Sequence, residues 1–82
     1  MHALESNQTE KRLGHVIKRR REEAGLSQED FGERAQVHRT YVSQLERGIK
    51  SPSVRVLVKM AGALGCEAWE MLREAGAPGP KR

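Results

Sequence analysis

The side chains best placed to do chemistry in this chain lie along one predicted helix, and their chemistry is hydrogen bonding rather than catalysis. They are Arg39, Thr40, Ser43, Gln44 and Arg47. If Val42 and Leu45 point to the core, helical geometry turns these five outward. All five can hydrogen-bond to base edges or phosphates. Arg39, at the start of the helix, suits either a plain surface charge or a contact with guanine through paired bonds to O6 and N7, and it is the first candidate for reading a base.

Other residues on or near this helix keep two interpretations open. Gln44 can read adenine or only approach the sugar-phosphate backbone. Tyr41 suits either partial burial or a phosphate contact, because its hydroxyl permits both. Arg47 and Lys50, in the segment after the helix, suit either phosphate contacts that carry no sequence information or plain exposure to solvent.

The net charge of the chain is concentrated around the same helix. The sequence has 15 Lys and Arg against 11 Asp and Glu, a net charge of +4. From Gln36 to Lys59 there are five basic residues and one acidic residue, Glu46, whereas the rest of the chain has ten of each sign. Clustered cations attract phosphates and release counterions, so the segment is typical of an anion-binding surface. An ordinary solvated helix surface is the alternative.

Length and composition narrow the class of protein. The 82 residues leave room for one small domain. Cys66 is the only cysteine, which excludes an internal disulfide framework and a thiolate metal cage within one chain. Apolar runs are far shorter than the roughly 18 residues of a membrane span, and no secretory signal precedes the first helix. We therefore expect a soluble, cytoplasmic protein without membrane contact.

Catalysis and ligand binding find little support in the sequence. There is no carboxylate pair, metal-ligand cluster, or nucleophile with a base at a workable spacing, so a nuclease or other enzyme is disfavoured. His2 and His15 make no metal-binding spacing with His38, which is more typical of a helix cap. We expect no metal, no cofactor and no small-molecule ligand. Cys66 is expected to be a small buried residue, with a redox role as the alternative.

Helical spacing and turn residues predict an all-α fold of five helices. The predicted helices are Glu10–Ala24, Gln28–Ala35, His38–Arg47, a fourth from the Ser51–Ser53 cap to Gly65, and about Glu67–Glu74. Ser27 is placed to cap the second helix. We expect residues 1–9 to be flexible, 10–74 to form the domain with a dimerisation helix at its end, and 75–82 to be a disordered tail.

The second and third predicted helices are short and joined by a tight turn, and the second of this pair is amphipathic with a polar outer face. This is the helix-turn-helix pattern. Its geometry suits DNA, because a major groove about 12 Å wide accepts one α-helix while the preceding helix braces it.

Over roughly Leu13 to Leu72, the sequence resembles the Cro and phage-repressor type of helix-turn-helix proteins, also called the xenobiotic response element family. The resemblance is carried by Ile17, Arg21, Gly25–Phe31, Tyr41–Gly48, Pro52, Ser53 and Ala61–Gly65. It implies a compact, lambda-repressor-like domain of five helices. Gln36 departs from the pattern, since a small residue or glycine is usual in that turn, so its backbone must either avoid positive φ or accept strain.

The resemblance also implies roles for individual residues. Gln28 would bind a phosphate and support the third helix, with a solvated residue in the first turn of the second helix as the alternative. Arg39, Thr40, Ser43 and Gln44 would reach base edges, with Tyr41, Arg47 and Lys50 as further phosphate contacts. Arg21 and Glu46 would form a structural ion pair.

The last two helices carry more apolar residues than a small monomer needs to bury. Val58, Trp69, Met71 and Leu72 are therefore the predicted interface of a twofold dimer. Such a dimer would place two recognition helices about 34 Å apart on a pseudo-palindrome. In the alternative, Trp69 closes the core of the monomer from outside.

By this resemblance the chain is expected to be a homodimeric, sequence-specific transcription regulator that binds an inverted repeat in double-stranded DNA. Relatives of this size include restriction-modification controllers and phage-type repressors, for which autoregulation is the family expectation. The alternative is an antitoxin or adaptor whose main role is to bind a partner protein through the same fold.

Overall fold

The computed structural model describes residues 3–76. These residues fold into five α-helices joined by turns, and none of them forms a strand. The helices are α1 (Ala3–Glu23), α2 (Gln28–Ala35), α3 (Arg39–Glu46), α4 (Val54–Leu64) and α5 (Ala68–Gly76). The predicted all-α, five-helix fold is confirmed. None of these helices has the length and apolar composition that crossing a membrane requires.

Three helices begin at a side chain that caps their free backbone amides. The capping bonds run to Ser27 Oγ from the Asp30 N–H at 2.9 Å, to His38 Nδ1 from the Thr40 N–H at 3.0 Å and to Ser53 Oγ from the Val56 N–H at 3.1 Å. Each bond satisfies a donor that has no partner within the helix. His38 is therefore the cap of α3, which begins one residue later than predicted.

Both ends of the domain extend beyond the predicted helices. α1 begins at Ala3 rather than Glu10, since neither glycine nor proline occurs in residues 3–9 to interrupt it. At the other end Ala75, predicted to open a disordered tail, is buried in the core. Ala75 lies four residues after Met71 and so shares its inward face. Residues 1–2 and 77–82, the rest of the two predicted terminal segments, lie outside the described residues.

The core forms where the apolar faces of all five helices meet. α1 packs against α3 and α5, α2 packs against α3 and α4, and α4 packs against α5. The largest fully buried side chains are Ile17, Phe31, Val42, Leu45, Met60 and Met71. Placing Met71 at the dimer interface was thus wrong, because its side chain fills the core of the monomer and has no surface to offer a partner.

The turn between α2 and α3 has a strained residue at its centre. Gln36 has φ of 63° and ψ of 40°, and among residues 3–76 it is the only residue other than glycine with positive φ. This conformation costs a residue with a side chain about 1–2 kcal/mol. Of the two outcomes left open by the sequence, the backbone accepts strain. The N–H of Val37 closes the turn by donating to the carbonyl oxygen of Gly32 at 2.8 Å.

α1 crosses α3 at Gly14, where the two backbones come unusually close. A Cβ atom at this position would lie 2.5 Å from the carbonyl oxygens of both Leu45 and Glu46. Such a separation is far inside van der Waals contact, and backbone atoms cannot move aside as a flexible side chain can. The absence of a side chain at residue 14 therefore sets the spacing between α1 and α3.

Replacing Gly14 by alanine is expected to lower the free energy of unfolding by about 1–3 kcal/mol, because the added methyl group forces α1 and α3 apart. Gly62→Ala is the matched control, since a Cβ on that α4 glycine would meet nothing within 4 Å. There the better helix propensity of alanine should raise stability by about 0.5–1 kcal/mol. Urea denaturation of both variants measures the contrast, and equal effects would contradict the close crossing.

Candidate nucleic-acid interface

One face of α3 carries the four residues predicted to read bases, and the opposite face is buried. Arg39 and Thr40 are exposed, while Ser43 and Gln44 are half-buried. Val42 and Leu45 lie in the core. The polar face is therefore presented outward by a helix whose other side is held by apolar packing.

The residues predicted to contact phosphates differ in exposure and in the bonds they make within the protein. Tyr41 is half-buried and packs partly against the core. Arg47 and Lys50 are exposed, and Nε of Arg47 donates to the carbonyl oxygen of Ser43 at 3.4 Å. Gln28 is half-buried at the start of α2. Of these side chains, only that of Gln28 is tied directly to the ion pair described next.

Arg21 and Glu46 form a buried, two-pronged ion pair between α1 and α3. Arg21 Nε lies 2.6 Å from Glu46 Oε2, and Arg21 donates a second bond from its terminal nitrogen to Glu46 Oε1 at 3.1 Å. The side chains are only 10% and 3% exposed. The hydrogen bonds to Glu46 raise the pKa of Arg21 above its ordinary value. Arg21 also donates to the carbonyl oxygen of Leu26 at 2.8 Å, which holds the segment that leads into α2.

The same carboxylate also binds α2 directly. Gln28 Nε2 donates to Glu46 Oε1 at 3.0 Å. The last residue of α3 therefore accepts bonds from the last turn of α1 and the first residue of α2. This polar cluster, formed by Arg21, Gln28 and Glu46, fixes the angle between the two helices of the helix-turn-helix pair.

The structure adds Glu29, which sequence reasoning missed, to the surroundings of the polar face. Its Oε1 atom lies 3.5 Å from the terminal nitrogen NH1 of Arg39, and the two side chains are 64% and 63% exposed. Nothing in the sequence signals this pair, because it depends on how closely the first turn of α2 approaches the first residue of α3.

Exposed apolar residues also occur on α4 and α5, two helices that pack against each other. Val58, Trp69 and Leu72 are 55%, 59% and 51% exposed. Val54, four residues before Val58 and so on the same side of α4, is 80% exposed, although its helical spacing with Leu57 had indicated the apolar stripe of this helix. The Arg73 guanidinium lies 5.6 Å from the centroid of the Trp69 ring, at cation–π distance. More than half of Trp69 thus remains exposed to solvent.

α5 is held against α1 by charge as well as by packing. Glu74 accepts from Arg20 Nε at 3.1 Å and from an Arg20 terminal nitrogen at 2.7 Å, and Arg19 lies 2.6 Å from the same carboxylate. The hydrogen bonds from Arg20 lower the pKa of Glu74 below its ordinary value. These contacts orient the helix that presents Trp69.

The residues typical of metal and thiol chemistry are dispersed or partly buried in residues 3–76. Among residues 3–76, no three His, Cys, Asp or Glu side chains are grouped so as to hold a metal ion. Cys66 is half-buried against the core, and burial raises the pKa of its thiol. A raised pKa favours the unreactive protonated thiol at neutral pH.

Comparison with known families accounts for the arrangement of α2 and α3. The family model described as helix-turn-helix matches residues 17–68, which is more than half of the chain. The chain belongs to the helix-turn-helix family. Its relatives include phage repressors and restriction-modification controllers, in agreement with the resemblance to the Cro and phage-repressor type.

Three similar proteins illustrate the range of this helix-turn-helix family. An uncharacterised helix-turn-helix transcriptional regulator of Mycobacterium tuberculosis is 40% identical over 63 residues, 77% of this chain and 45% of the relative. The immunity repressor of Bacillus phage phi105 is 36% identical over 62 residues, 76% of this chain and 43% of the relative. The crystal structure of the restriction-modification controller C.AhdI from Aeromonas hydrophila superposes with a TM-score of 0.74 at 32% identity, covering 76% of this chain and 94% of that one.

This chain covers different shares of the lengths of the three relatives. It spans less than half of the Mycobacterium and phage regulators but nearly all of the controller. Residues 17–68, which the family model matches, contain the polar cluster and the whole of α3.

Glu46→Gln is expected to lower the free energy of unfolding by about 3 kcal/mol, because Arg21 would remain buried without a counter-charge. Glu23→Gln is the matched control, since Glu23 pairs with Arg19 at 3.3 Å on the surface. An exposed pair contributes at most about 1 kcal/mol. Thermal and urea unfolding of the two variants measures the difference, and similar losses would contradict the role given to the polar cluster.

Proposed function

We propose that this chain is a sequence-specific DNA-binding transcription regulator of the cytoplasm that acts as a homodimer on an inverted repeat. The observation that carries the proposal is the outer face of α3, polar along its length and open to solvent at Arg39, on a helix whose back is buried and whose end is tied to α1 and α2. A rigid helix with a polar outer face is what insertion into a major groove requires.

The proposed roles follow from position and from donor or acceptor type. Arg39 contacts guanine, and Thr40, Ser43 and Gln44 contact neighbouring base edges. The phosphate contacts, which set register without reading sequence, are assigned to Gln28, Tyr41, Arg47 and Lys50. Gln28 keeps its amide oxygen and one N–H for solvent or DNA while its other N–H supports α3.

Dimerisation is assigned to the apolar surface formed by Val54, Val58, Trp69 and Leu72. A cluster of exposed aliphatic and aromatic side chains on a chain of 82 residues favours burial against a second copy. The dimer would present two α3 helices to a pseudo-palindrome. Coupled dimerisation and operator binding would make regulation follow protein concentration, as autoregulation by a controller or phage-type repressor needs.

The same apolar surface supports a second candidate function. An antitoxin or adaptor would use Trp69 and Leu72 to bind a different protein, with DNA binding absent or secondary. The two functions differ in salt dependence, because sequence-specific DNA binding weakens steeply as counterions compete for the phosphates.

A binding selection from random duplexes with the purified protein, repeated at two salt concentrations, tests the proposal. Enrichment of a short inverted repeat, with affinity that falls steeply as salt rises, is the expected result. Enrichment of a single half-site would contradict the dimer, and no enrichment at either salt concentration would contradict sequence-specific binding.

Arg39→Ala and Lys50→Ala are expected to weaken DNA binding in different ways. Loss of the guanine contact should cost about 1–3 kcal/mol for each half-site of the selected site and relax the preference at one base pair of each half-site. Loss of Lys50 should weaken all duplexes alike and make the salt slope shallower by about 0.9 for each protomer, or about 1.8 for the dimer. Titrations on the selected site, a single-base variant and a scrambled duplex separate the two patterns; the reverse assignment would refute the roles.

Trp69→Ala is expected to raise the dimer dissociation constant at least tenfold, or about 1.4 kcal/mol, since aromatic side chains at interface centres dominate binding. Ile49→Ala is the control, because Ile49 is equally exposed, at 59%, but lies outside the proposed interface. Sedimentation equilibrium gives both constants. An unchanged constant for Trp69→Ala would refute the interface assignment.

A further inference from the structure

The N-terminal end of α3 carries an ion pair that reading a base does not by itself require. Arg39, the first residue of α3, lies 3.5 Å from the carboxylate of Glu29 on α2, and both groups are largely exposed. An arginine that only had to reach a base would gain nothing from an acidic neighbour beside it, because that neighbour repels DNA phosphates.

Glu29 is one of two acidic residues that line the same groove beside Arg39. Glu29 and Glu33 stand one turn apart on α2, and with Val37, His38 and Arg39 they line an open groove beside the start of α3. His38 is held in place there by its cap bond to the Thr40 N–H. The Arg39 side chain thus shares this groove with two carboxylates, of which that of Glu29 is its ion-pair partner.

The Glu29–Arg39 pair is expected to affect the affinities for nonspecific and for specific DNA differently. An exposed ion pair is weak, so a guanidinium can leave it for two parallel hydrogen bonds to guanine O6 and N7. A phosphate on nonspecific DNA offers a looser contact and brings a second negative charge towards the Glu29 carboxylate. Since specificity is a difference of affinities, a group that penalises the wrong contact raises it as effectively as one that rewards the right contact.

We propose that Glu29 is a specificity-determining residue that acts through Arg39, holding the guanidinium away from phosphates on nonspecific DNA and releasing it to a guanine edge. The proposal depends on the DNA-binding function proposed above. Glu29 is a positioning residue in this scheme, because its effect on sequence choice passes through Arg39.

The experiment compares Glu29→Gln with the wild-type protein on the selected operator and on a scrambled duplex over a range of salt concentrations. We expect affinity for the scrambled duplex to rise roughly threefold to tenfold, with a salt slope steeper by about 0.9 for each protomer, the value for one more phosphate contact, or about 1.8 for the dimer. Affinity for the operator should change less than twofold, so the specificity ratio falls.

Two matched variants test whether the effect comes from the Glu29–Arg39 ion pair or only from the loss of one negative charge in the groove. Glu33→Gln removes the same charge from the same groove but leaves the Glu29–Arg39 pair, and it should change the specificity ratio by clearly less. In an Arg39→Ala background, Glu29→Gln should have no further effect on the ratio. Equal effects of Glu29→Gln and Glu33→Gln, or an undiminished effect without Arg39, would overturn the proposal.

The outcomes also distinguish this proposal from the function on which it depends. If the wild-type protein binds its operator and Glu29→Gln leaves the specificity ratio and the salt slope unchanged, only the role of Glu29 is refuted. If the wild-type protein binds no duplex, the proposed function fails and the role of Glu29 fails with it. Thermal unfolding of each variant confirms that the exposed substitutions leave the fold intact.

Discussion

The buried carboxylate of Glu46 is the point at which three helices of this protein are joined. It accepts two hydrogen bonds from Arg21 on α1 and one from Gln28 on α2, while its own backbone ends α3. A charge so poorly exposed to water is tolerated only when each partner is in place. The helix-turn-helix angle, the position of α2 and the direction of α3 therefore depend on one set of bonds.

The two ends of α3 are held very differently as a result. Its last residue belongs to the buried polar cluster, and nearby Gly14 lets the backbone of α1 approach to a distance that no side chain would allow. Its first residue is held by the His38 cap and by an exposed ion pair. A helix anchored firmly at one end, with a weakly held arginine at the other, suits a surface that must be rigid in position yet able to exchange partners.

The far side of the domain is separated from this arrangement in both chemistry and position along the chain. α5 is attached to α1 through Glu74 and two arginines, and through the buried Met71 and Ala75. The same helix leaves Trp69 and Leu72 exposed. α1 therefore links the polar face of α3 to the apolar surface of α5, because it packs against both helices.

The sequence by itself was enough to predict five helices, the capping residue Ser27, a cap within Ser51–Ser53, and the inward and outward sides of α3, because these follow from local spacing and local hydrogen bonds. That Ser53 is the residue that caps α4 came from the structure. It misplaced Met71 and Ala75, since a short helix with apolar residues on several sides does not reveal which side meets the core. The Glu29–Arg39 pair, the 2.5 Å approach at Gly14 and the strained φ of Gln36 were decided by tertiary structure alone. Each depends on the distance between elements that are separate in sequence, and that distance is set only when the helices pack.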